Sequence, residues 1–299
     1  MDATVLSTDV GPVEVSDHGH GPPVLVLHGS PGGIDVAELM GRFLLLRDCR
    51  VIALSRPGYL ATPLLPGTRD PEGQADLAAA ALDELGLGQV GVFGWSGAGP
   101  TAYSMAAGHP DRVAALALVA AVSRPVLWQP GLVDQLLFAT GPGKFTVRQA
   151  LRWMPSTILD IGIAAQGDLT SQERRDLLAT VEADPRRRDF TLDLVAALAA
   201  AGDRTAGVAN DQRVFADLGE LPLSQITAPT LLIHGDADTE VELADSQLAA
   251  DQIRDARLEV VPRGTHMCLF ADERDRALQD MVADFLSAAI HAAGPTPRD

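Results

Sequence analysis

The sequence has little cysteine, little lysine and few aromatic residues. Its 299 residues include two cysteines, Cys49 and Cys268, a single lysine, Lys144, and only 4% aromatic residues. Two cysteines are too few for a disulfide framework, so we interpret both as small buried hydrophobic residues in a reduced compartment. Almost all positive charge is therefore carried by arginine.

Positive charge as a whole is scarce. The chain has 23 basic against 40 acidic residues, which gives a formal net charge of −17. Nucleic acids and anionic membranes would both repel such a chain, so we expect neither as a partner. We expect a small-molecule substrate instead, and no feature of the sequence fixes the number of subunits.

Long apolar stretches are also missing. No run of about 18 apolar residues is free of charge, so we expect no membrane-spanning segment. The N-terminal residues MDATVLSTDVGPVEV carry neither the basic nor the apolar part of a signal peptide. We therefore expect a soluble, cytoplasmic protein.

What the sequence does contain is a series of short apolar runs separated by helical patterns. Continuously apolar runs of four to six residues are typical of parallel strands that are buried on both faces. The runs cover residues 24–27, 51–54, 90–93, 116–119, 230–233 and 258–261, and the helical patterns cover 35–47, 72–86, 97–108, 242–253 and 273–292. This alternation predicts an α/β fold with a mostly parallel sheet flanked by helices.

The alternation is interrupted between Ser123 and Ser224. About 100 residues there contain no strand pattern but five helical patterns, at 131–140, 146–153, 171–183, 189–201 and 211–217. We predict a core made of residues 1–123 and 224–299, with an inserted helical cap over 124–223. Ligands of open α/β sheets bind beyond the carboxyl ends of the strands, where such a cap would cover the site.

One strand end carries a serine between small residues. In VGVFGWSGAGPTAY (90–103), Ser96 follows an apolar run and opens a helical pattern, with Gly94 and Ala98 two residues to either side. This is the strand–turn–helix context of a nucleophile elbow, in which the flanking positions must be small so that strand and helix can approach. The usual pattern is Gly-x-Ser-x-Gly, and alanine replaces the last glycine here. A serine that only caps the helix is the structural alternative.

With this motif the chain resembles the α/β-hydrolase fold superfamily, in its serine-nucleophile branch, over nearly all of its length outside the cap. LHGSPGG (27–33) looks like the family's oxyanion loop. The resemblance implies that the backbone N–H groups of Ser30 and Gly97 form the oxyanion hole, where two aimed donors stabilise a negatively charged intermediate. His28 is interpreted as a brace of this loop.

The resemblance also implies an acid and a base, in the chain order nucleophile, acid, base. His266, in VPRGTHMCLF, follows the last strand run where the family places its base, although Thr265 stands where glycine is usual. HGDADTEV (234–241) offers Asp236 and Asp238 as acids. The resemblance favours Asp238, and Asp236 is expected to shape the turn.

Aromatic side chains are the candidates for substrate contact. We assign Trp95, beside the serine, and three residues of the predicted cap, Trp128, Phe138 and Trp153, to this role. For the cap residues, packing within the cap is the alternative. SRPGY (55–59) also resembles a family segment, with Ser55 where aspartate is usual, and indicates fold more than chemistry.

Other chemistries lack their motifs. No Cys or His spacing suggests a metal, and the glycine-rich loops have neither P-loop nor dinucleotide spacing. We therefore expect a cofactor-free serine hydrolase that cleaves a carboxylic ester of a small to medium, largely apolar substrate. A lactone, a carbon–carbon bond, an N-terminal proline amide or perhydrolysis would use the same residues, and a non-catalytic ligand-binding module is the alternative from another class.

Overall fold

A sheet of eight strands forms the centre of the computed structural model, which describes residues 3–129 and 131–293. The strand order is β1-β2-β4-β3-β5-β6-β7-β8, and only the pairs formed by β2 are antiparallel. The strands are β1 (Thr4–Ser7), β2 (Pro12–His18), β3 (Pro23–Leu27), β4 (Arg50–Leu54), β5 (Val90–Trp95), β6 (Val113–Val119), β7 (Thr230–Gly235) and β8 (Ala256–Val261).

The six predicted strand runs are confirmed as β3 to β8. Sequence patterning missed β1 and β2, which form an antiparallel pair at one edge of the sheet. β1 is largely exposed and β2 alternates between buried and half-buried residues, so neither gives the continuous apolar run of a strand buried on both faces.

Helices cover both faces of the sheet. Alternate residues of β3 enter two different hydrophobic clusters: Leu25 and Leu27 pack with α2, α3 and α10, whereas Val24 and Val26 pack with α1, α11 and α12. These helices are α1 (Ile34–Leu45), α2 (Pro71–Glu84), α3 (Gly99–Gly108), α10 (Leu243–Gln252), α11 (Cys268–Ala271) and α12 (Asp275–Ala293). The predicted α/β-hydrolase architecture, a mostly parallel sheet flanked by helices, is confirmed.

The helical insertion, residues 124–223, lies between β6 and β7. Its helices are α4 (Leu132–Ala139), α5 (Gly141–Trp153), α6 (Pro155–Ala164), α7 (Ser171–Ala183), α8 (Pro185–Leu198) and α9 (Thr205–Ala216). Sequence patterning missed α6, whose first residue is a proline. Whether the insertion acts as a separate cap domain stays a prediction.

Local sequence explains where these helices begin. Asp70 precedes α2 and accepts a hydrogen bond from Gly73 N at 2.8 Å, with Pro71 at the first helical position. Thr170 and Glu173 form a capping box at the start of α7. Within the described residues, no helix combines the length and apolar composition needed to cross a bilayer.

Candidate active site

Ser96 lies on a sharp turn between β5 and α3. Its φ of +58° is in the left-handed region that non-glycine residues seldom adopt. A Cβ on Gly94 would lie 2.8 Å from Leu118 Cδ2 and 3.2 Å from the Cβ of Ala98. The two positions flanking the serine must therefore be small, as the sequence pattern predicts.

The loop after β3 lies against this turn. A Cβ on Gly29 would lie 3.1 Å from the Cβ of Ser96 and 3.7 Å from its Oγ. A Cβ on Gly97 would collide with the hydroxyl of Ser30 and would lie 2.8 Å from Phe215 Cζ. The structure thus brings Ser30, Ser96 and Gly97 together. Their roles as donors and nucleophile stay predictions.

His266 and Asp238 meet across two loops at the ends of β7 and β8. Nδ1 of His266 is 2.7 Å from Oδ2 of Asp238, whose side chain is fully buried. The other oxygen, Oδ1, accepts from the backbone N–H groups of Glu240 at 2.8 Å and Val241 at 3.1 Å. Asp236 points elsewhere: it is exposed and accepts from Arg263 N at 2.6 Å.

Asp238 is held in its charged form. Burial alone would raise the pKa of its carboxyl group, but the charge of His266 and the hydrogen bonds from His234 and His266 outweigh burial and lower the pKa to about 2. A carboxylate that stays ionised can accept a hydrogen bond from Nδ1–H of His266 and stabilise the ring when it becomes protonated.

A second histidine contacts the same carboxylate. His234 is fully buried at the end of β7, with Nε2 3.4 Å from Oδ2 of Asp238 and 3.0 Å from the carbonyl oxygen of Val241. Its Nδ1 is 2.7 Å from the hydroxyl of Ser246. The carbonyl can only accept, so Nε2 carries a proton, and Nδ1 shares a hydrogen bond with the hydroxyl of Ser246. No sequence motif indicated this role for His234.

Behind Ser30 lies a buried ion pair that the sequence analysis also missed. Arg56 donates to both oxygens of Asp211, at 2.9 and 2.6 Å, and each side chain is only 2% exposed. Asp211 also accepts from Tyr59 Oη at 2.6 Å and from the hydroxyl of Ser30, which in turn accepts from Arg56 at 2.8 Å. The signal was the SRPGY segment, which supplies Arg56 and Tyr59, but its partner lies 155 residues further along the chain.

His28 joins this cluster to the loop before Ser30. Its Nδ1 is 2.7 Å from the Gly29 carbonyl oxygen, and its Nε2 accepts from Arg56 N at 2.9 Å. Burial, and then the charge of Arg56, lower the pKa of His28 well below its usual value. The ring of His28 is therefore neutral, and it bridges the loop of Gly29 and the loop of Arg56. It belongs to this buried cluster and does not contact Asp238.

The four aromatic residues that were assigned to substrate contact have different environments. Trp95 is buried, donates from Nε1 to the His266 carbonyl oxygen at 3.0 Å and packs 5.2 Å from the His266 ring. Trp128 is half-buried and packs 6.2 Å from Phe215, and Phe138 is also half-buried. Trp153 is 70% exposed, with Arg152 stacked over its ring. Substrate contact by these residues stays a prediction.

The two cysteines are free and buried, as predicted, and burial raises the pKa of Cys268 to about 12. Nowhere among residues 3–129 and 131–293 do three or more His, Cys, Asp or Glu side chains come together in a way that could hold a metal ion.

Comparisons with known proteins agree with this architecture. The model of the α/β hydrolase fold family matches residues 22–272. A solved α/β hydrolase fold protein from Nakamurella multipartita is 40% identical, with a TM-score of 0.91 over 96% of this chain and 99% of that one. A 2-hydroxy-6-oxononadienedioate/2-hydroxy-6-oxononatrienedioate hydrolase from Cupriavidus pinatubonensis is 27% identical, over 92% of this chain and 90% of its own.

An esterase is similar over a comparable length. The pimeloyl-acyl-carrier-protein methyl ester esterase from Chromobacterium violaceum is 28% identical, over 88% of this chain and 94% of its own. These relatives are hydrolases that act on different bonds, so the similarity supports hydrolase activity in general. The strand order, the left-handed turn at Ser96 and the match to the family model agree. The chain therefore belongs to the α/β-hydrolase fold family.

Proposed function

We propose that this protein is a serine hydrolase that cleaves carboxylic esters through an acyl-enzyme on Ser96. The observation that carries the proposal is the 2.7 Å contact between His266 Nδ1 and a fully buried, ionised Asp238. A serine on a left-handed turn beside a candidate oxyanion loop also supports the proposal.

In the proposed reaction His266 is the base. Asp238 accepts a hydrogen bond from Nδ1–H, which keeps the proton on Nδ1 and leaves the lone pair of Nε2 available to remove the proton from Ser96 Oγ. The serine oxygen attacks the ester carbonyl, and the backbone N–H groups of Ser30 and Gly97 stabilise the resulting oxyanion. His266 then protonates the alcohol that leaves, and water, activated by the same histidine, releases the acid.

The insertion is the proposed source of specificity. Phe215 of α9 packs against Gly97 and contacts Trp128, so apolar side chains of the insertion lie beside the reacting serine. We propose that the insertion caps the site and that Trp95, Trp128, Phe138 and Trp153 shape a pocket for a small to medium, largely apolar substrate. No cofactor or metal takes part in the proposed steps.

Cleavage of a carbon–carbon bond is the second candidate. The observation that favours it is the likeness to the hydrolase from Cupriavidus pinatubonensis, which extends over nine-tenths of both chains. Turnover of short nitrophenyl esters and of a 2-hydroxy-6-oxo-dienoate by the same preparation separates the two. We expect the ester to be the better substrate by kcat/KM, and the reverse order would favour the carbon–carbon hydrolase.

The serine mechanism is tested with Ser96→Ala and with a fluorophosphonate label. We expect Ser96→Ala to remain folded and to lower kcat by roughly 10⁴-fold or more, the scale found for residues of such triads. The wild type should be labelled on Ser96 and the variant should not. Ser104→Ala, at a buried serine of α3, is the matched control and should keep both activity and labelling. Full turnover by Ser96→Ala would overturn the proposal.

A further inference from the structure

The loop between α6 and α7 touches both loops that carry the acid and the base. The carbonyl oxygen of Gln166 accepts from His266 N at 3.0 Å, and the backbone N–H of Asp168 donates to the Ala237 carbonyl oxygen at 2.8 Å. Between them, Gly167 forms an isolated antiparallel β-bridge with Asp238. We call residues 166–168 the clip. The clip is hydrogen-bonded to the backbone of His266, and it contacts the backbone of Asp238 and of its neighbour Ala237.

The central position of the clip leaves no room for a side chain. A Cβ on Gly167 would lie 2.7 Å from the carbonyl oxygen of Ala237 and 2.8 Å from Cγ2 of Thr265. Both contacts are closer than packed atoms tolerate, and neither partner is the end of a long flexible side chain. The threonine before His266, where the family usually has glycine, thus packs directly against the glycine of the clip.

A surface cluster holds the clip from outside. Arg263, in the loop before His266, donates from Nη2 to the Asp168 carbonyl oxygen at 2.7 Å and from Nε to Glu173 at 2.7 Å. Its own backbone N–H donates to Asp236 at 2.6 Å. One arginine therefore connects the clip, the first turn of α7 and the loop of the candidate acid.

Precise spacing between the two loops matters for proton transfer. Asp238 and His266 follow different strands, so their 2.7 Å contact depends on how far apart two loops are held. A displacement of about 1 Å at a catalytic group can cost about 10²-fold in rate. A third segment of backbone, hydrogen-bonded to both loops, restricts that displacement.

We propose that the clip positions His266 against Asp238, so that the insertion takes part in proton transfer as well as in enclosing the substrate. Gly167 is the positioning residue, because only a glycine lets the backbone of the clip reach both loops. The inference rests on the proposed serine-hydrolase function for its kinetic consequences, but the geometry of the His266–Asp238 contact can be tested without any substrate.

The test is Gly167→Ala, with Gly162→Ala as the matched control. Gly162 lies in α6 of the same insertion, where an added Cβ would meet nothing closer than Thr191 Cγ2 at 3.9 Å. We expect Gly167→Ala to lower kcat by about 10- to 100-fold with little change in KM, because the base is displaced while the pocket is kept. Gly162→Ala should keep the wild-type kcat.

A spectroscopic measurement accompanies the kinetics. The Nδ1 proton of His266, shared with Asp238, should give a strongly deshielded proton NMR signal, assigned by its loss in His266→Gln. We expect this signal to move or disappear in Gly167→Ala and to be unchanged in Gly162→Ala. An unchanged signal together with an unchanged kcat in Gly167→Ala would overturn the inference.

Two further outcomes are distinguishable. If Gly167→Ala does not fold, Arg263→Gln tests the inference instead, because it removes the hydrogen bond that holds the clip from outside. An unaltered NMR signal and an unaltered kcat in Arg263→Gln would overturn the inference. Failure of the proposed function is a different result, namely wild-type turnover by Ser96→Ala, and it would leave the NMR arm of the test valid.

Discussion

At the scale of single residues, two aspartates in one short loop have different environments. The side chain of Asp238 is buried and contacts Nδ1 of His266. Asp236 is exposed and accepts one hydrogen bond, from the backbone N–H of Arg263. We expect Asp238→Asn to lower kcat by roughly 10²–10⁴-fold, because an amide cannot balance the charge of a protonated imidazole.

Asp236→Asn is the comparison for that prediction. An asparagine oxygen can still accept from Arg263 N, so this variant should retain most activity. Turnover of one ester by both variants, with folding checked by circular dichroism, measures the difference. The assignment of the acid is wrong if folded Asp236→Asn is the inactive variant.

His28 makes the stability of the protein depend on pH. Folding lowers the pKa of His28 through burial and the charge of Arg56, whereas in the unfolded chain the ring titrates near 6.5. Below pH of about 6.5 the unfolded state therefore binds a proton that the folded state does not. The free energy of unfolding should fall as the pH is lowered, by at most about 1.4 kcal/mol per pH unit from this group.

His28→Asn removes this contribution. Urea unfolding at pH 7, 6 and 5 should show a shallower loss of stability in His28→Asn than in the wild type. The matched control, His20→Asn, changes an exposed histidine. Parallel loss of stability in wild type and His28→Asn would contradict the prediction.

At the scale of elements, α9 of the insertion contacts the candidate oxyanion loop and the turn at Ser96 directly. Asp211 and Phe215 are one turn apart, and they contact Ser30 and Gly97 respectively. Asp211→Asn would leave the buried charge of Arg56 without a counter-charge. We expect a loss of about 3–5 kcal/mol in the free energy of unfolding, the scale for breaking a buried pair.

Two further variants control that measurement. Asp217→Asn, at an exposed aspartate at the end of the same helix, should change stability by no more than about 0.5 kcal/mol. The double variant Arg56→Met with Asp211→Leu removes both charges, so it should recover part of the loss. An Asp211→Asn variant as stable as the wild type in urea would refute the prediction.

At the scale of the whole molecule, the insertion shares its hydrophobic clusters with the sheet. Val214, Phe215 and Leu218 of the insertion belong to the same cluster as α2 and α3. Leu159 and Val181 belong to the cluster on the opposite face of the sheet. These five apolar side chains of the insertion therefore belong to the main core, and they cannot be exposed without opening it.

Cooperative unfolding follows from this shared core. We expect a single calorimetric transition, with the calorimetric enthalpy equal to the van't Hoff enthalpy. Fluorescence of the insertion tryptophans and far-ultraviolet circular dichroism should change at the same temperature. Two resolved transitions would show that the insertion unfolds independently, as a separate cap domain would.

Much of the fold could be predicted because its signals are local. Each strand from β3 to β7 contains a continuous apolar run, since burial on both faces requires it, and the turn at Ser96 requires small neighbours. β8, at the edge of the sheet, is mostly half-exposed and was recognised from its residues Leu258, Val260 and Val261. β1, which is largely exposed, and β2, whose residues are partly half-buried, were missed because neither contains such a run. α6 was missed because its interior carries three isoleucines and Gly162, which are weak helix signals.

The sequence by itself determined the class of fold and the separate positions of Ser96, Asp238, His266 and Ser30, because each lies in a short motif at a strand end. Only the tertiary structure showed that Asp238 and not Asp236 contacts His266, that Asp211 pairs with Arg56, and that Gly167 lies between the loops of Asp238 and His266. The physical reason is distance along the chain. Local patterns record burial and backbone conformation, whereas contacts between residues 28 to 155 positions apart depend on how the loops and the insertion pack against the sheet.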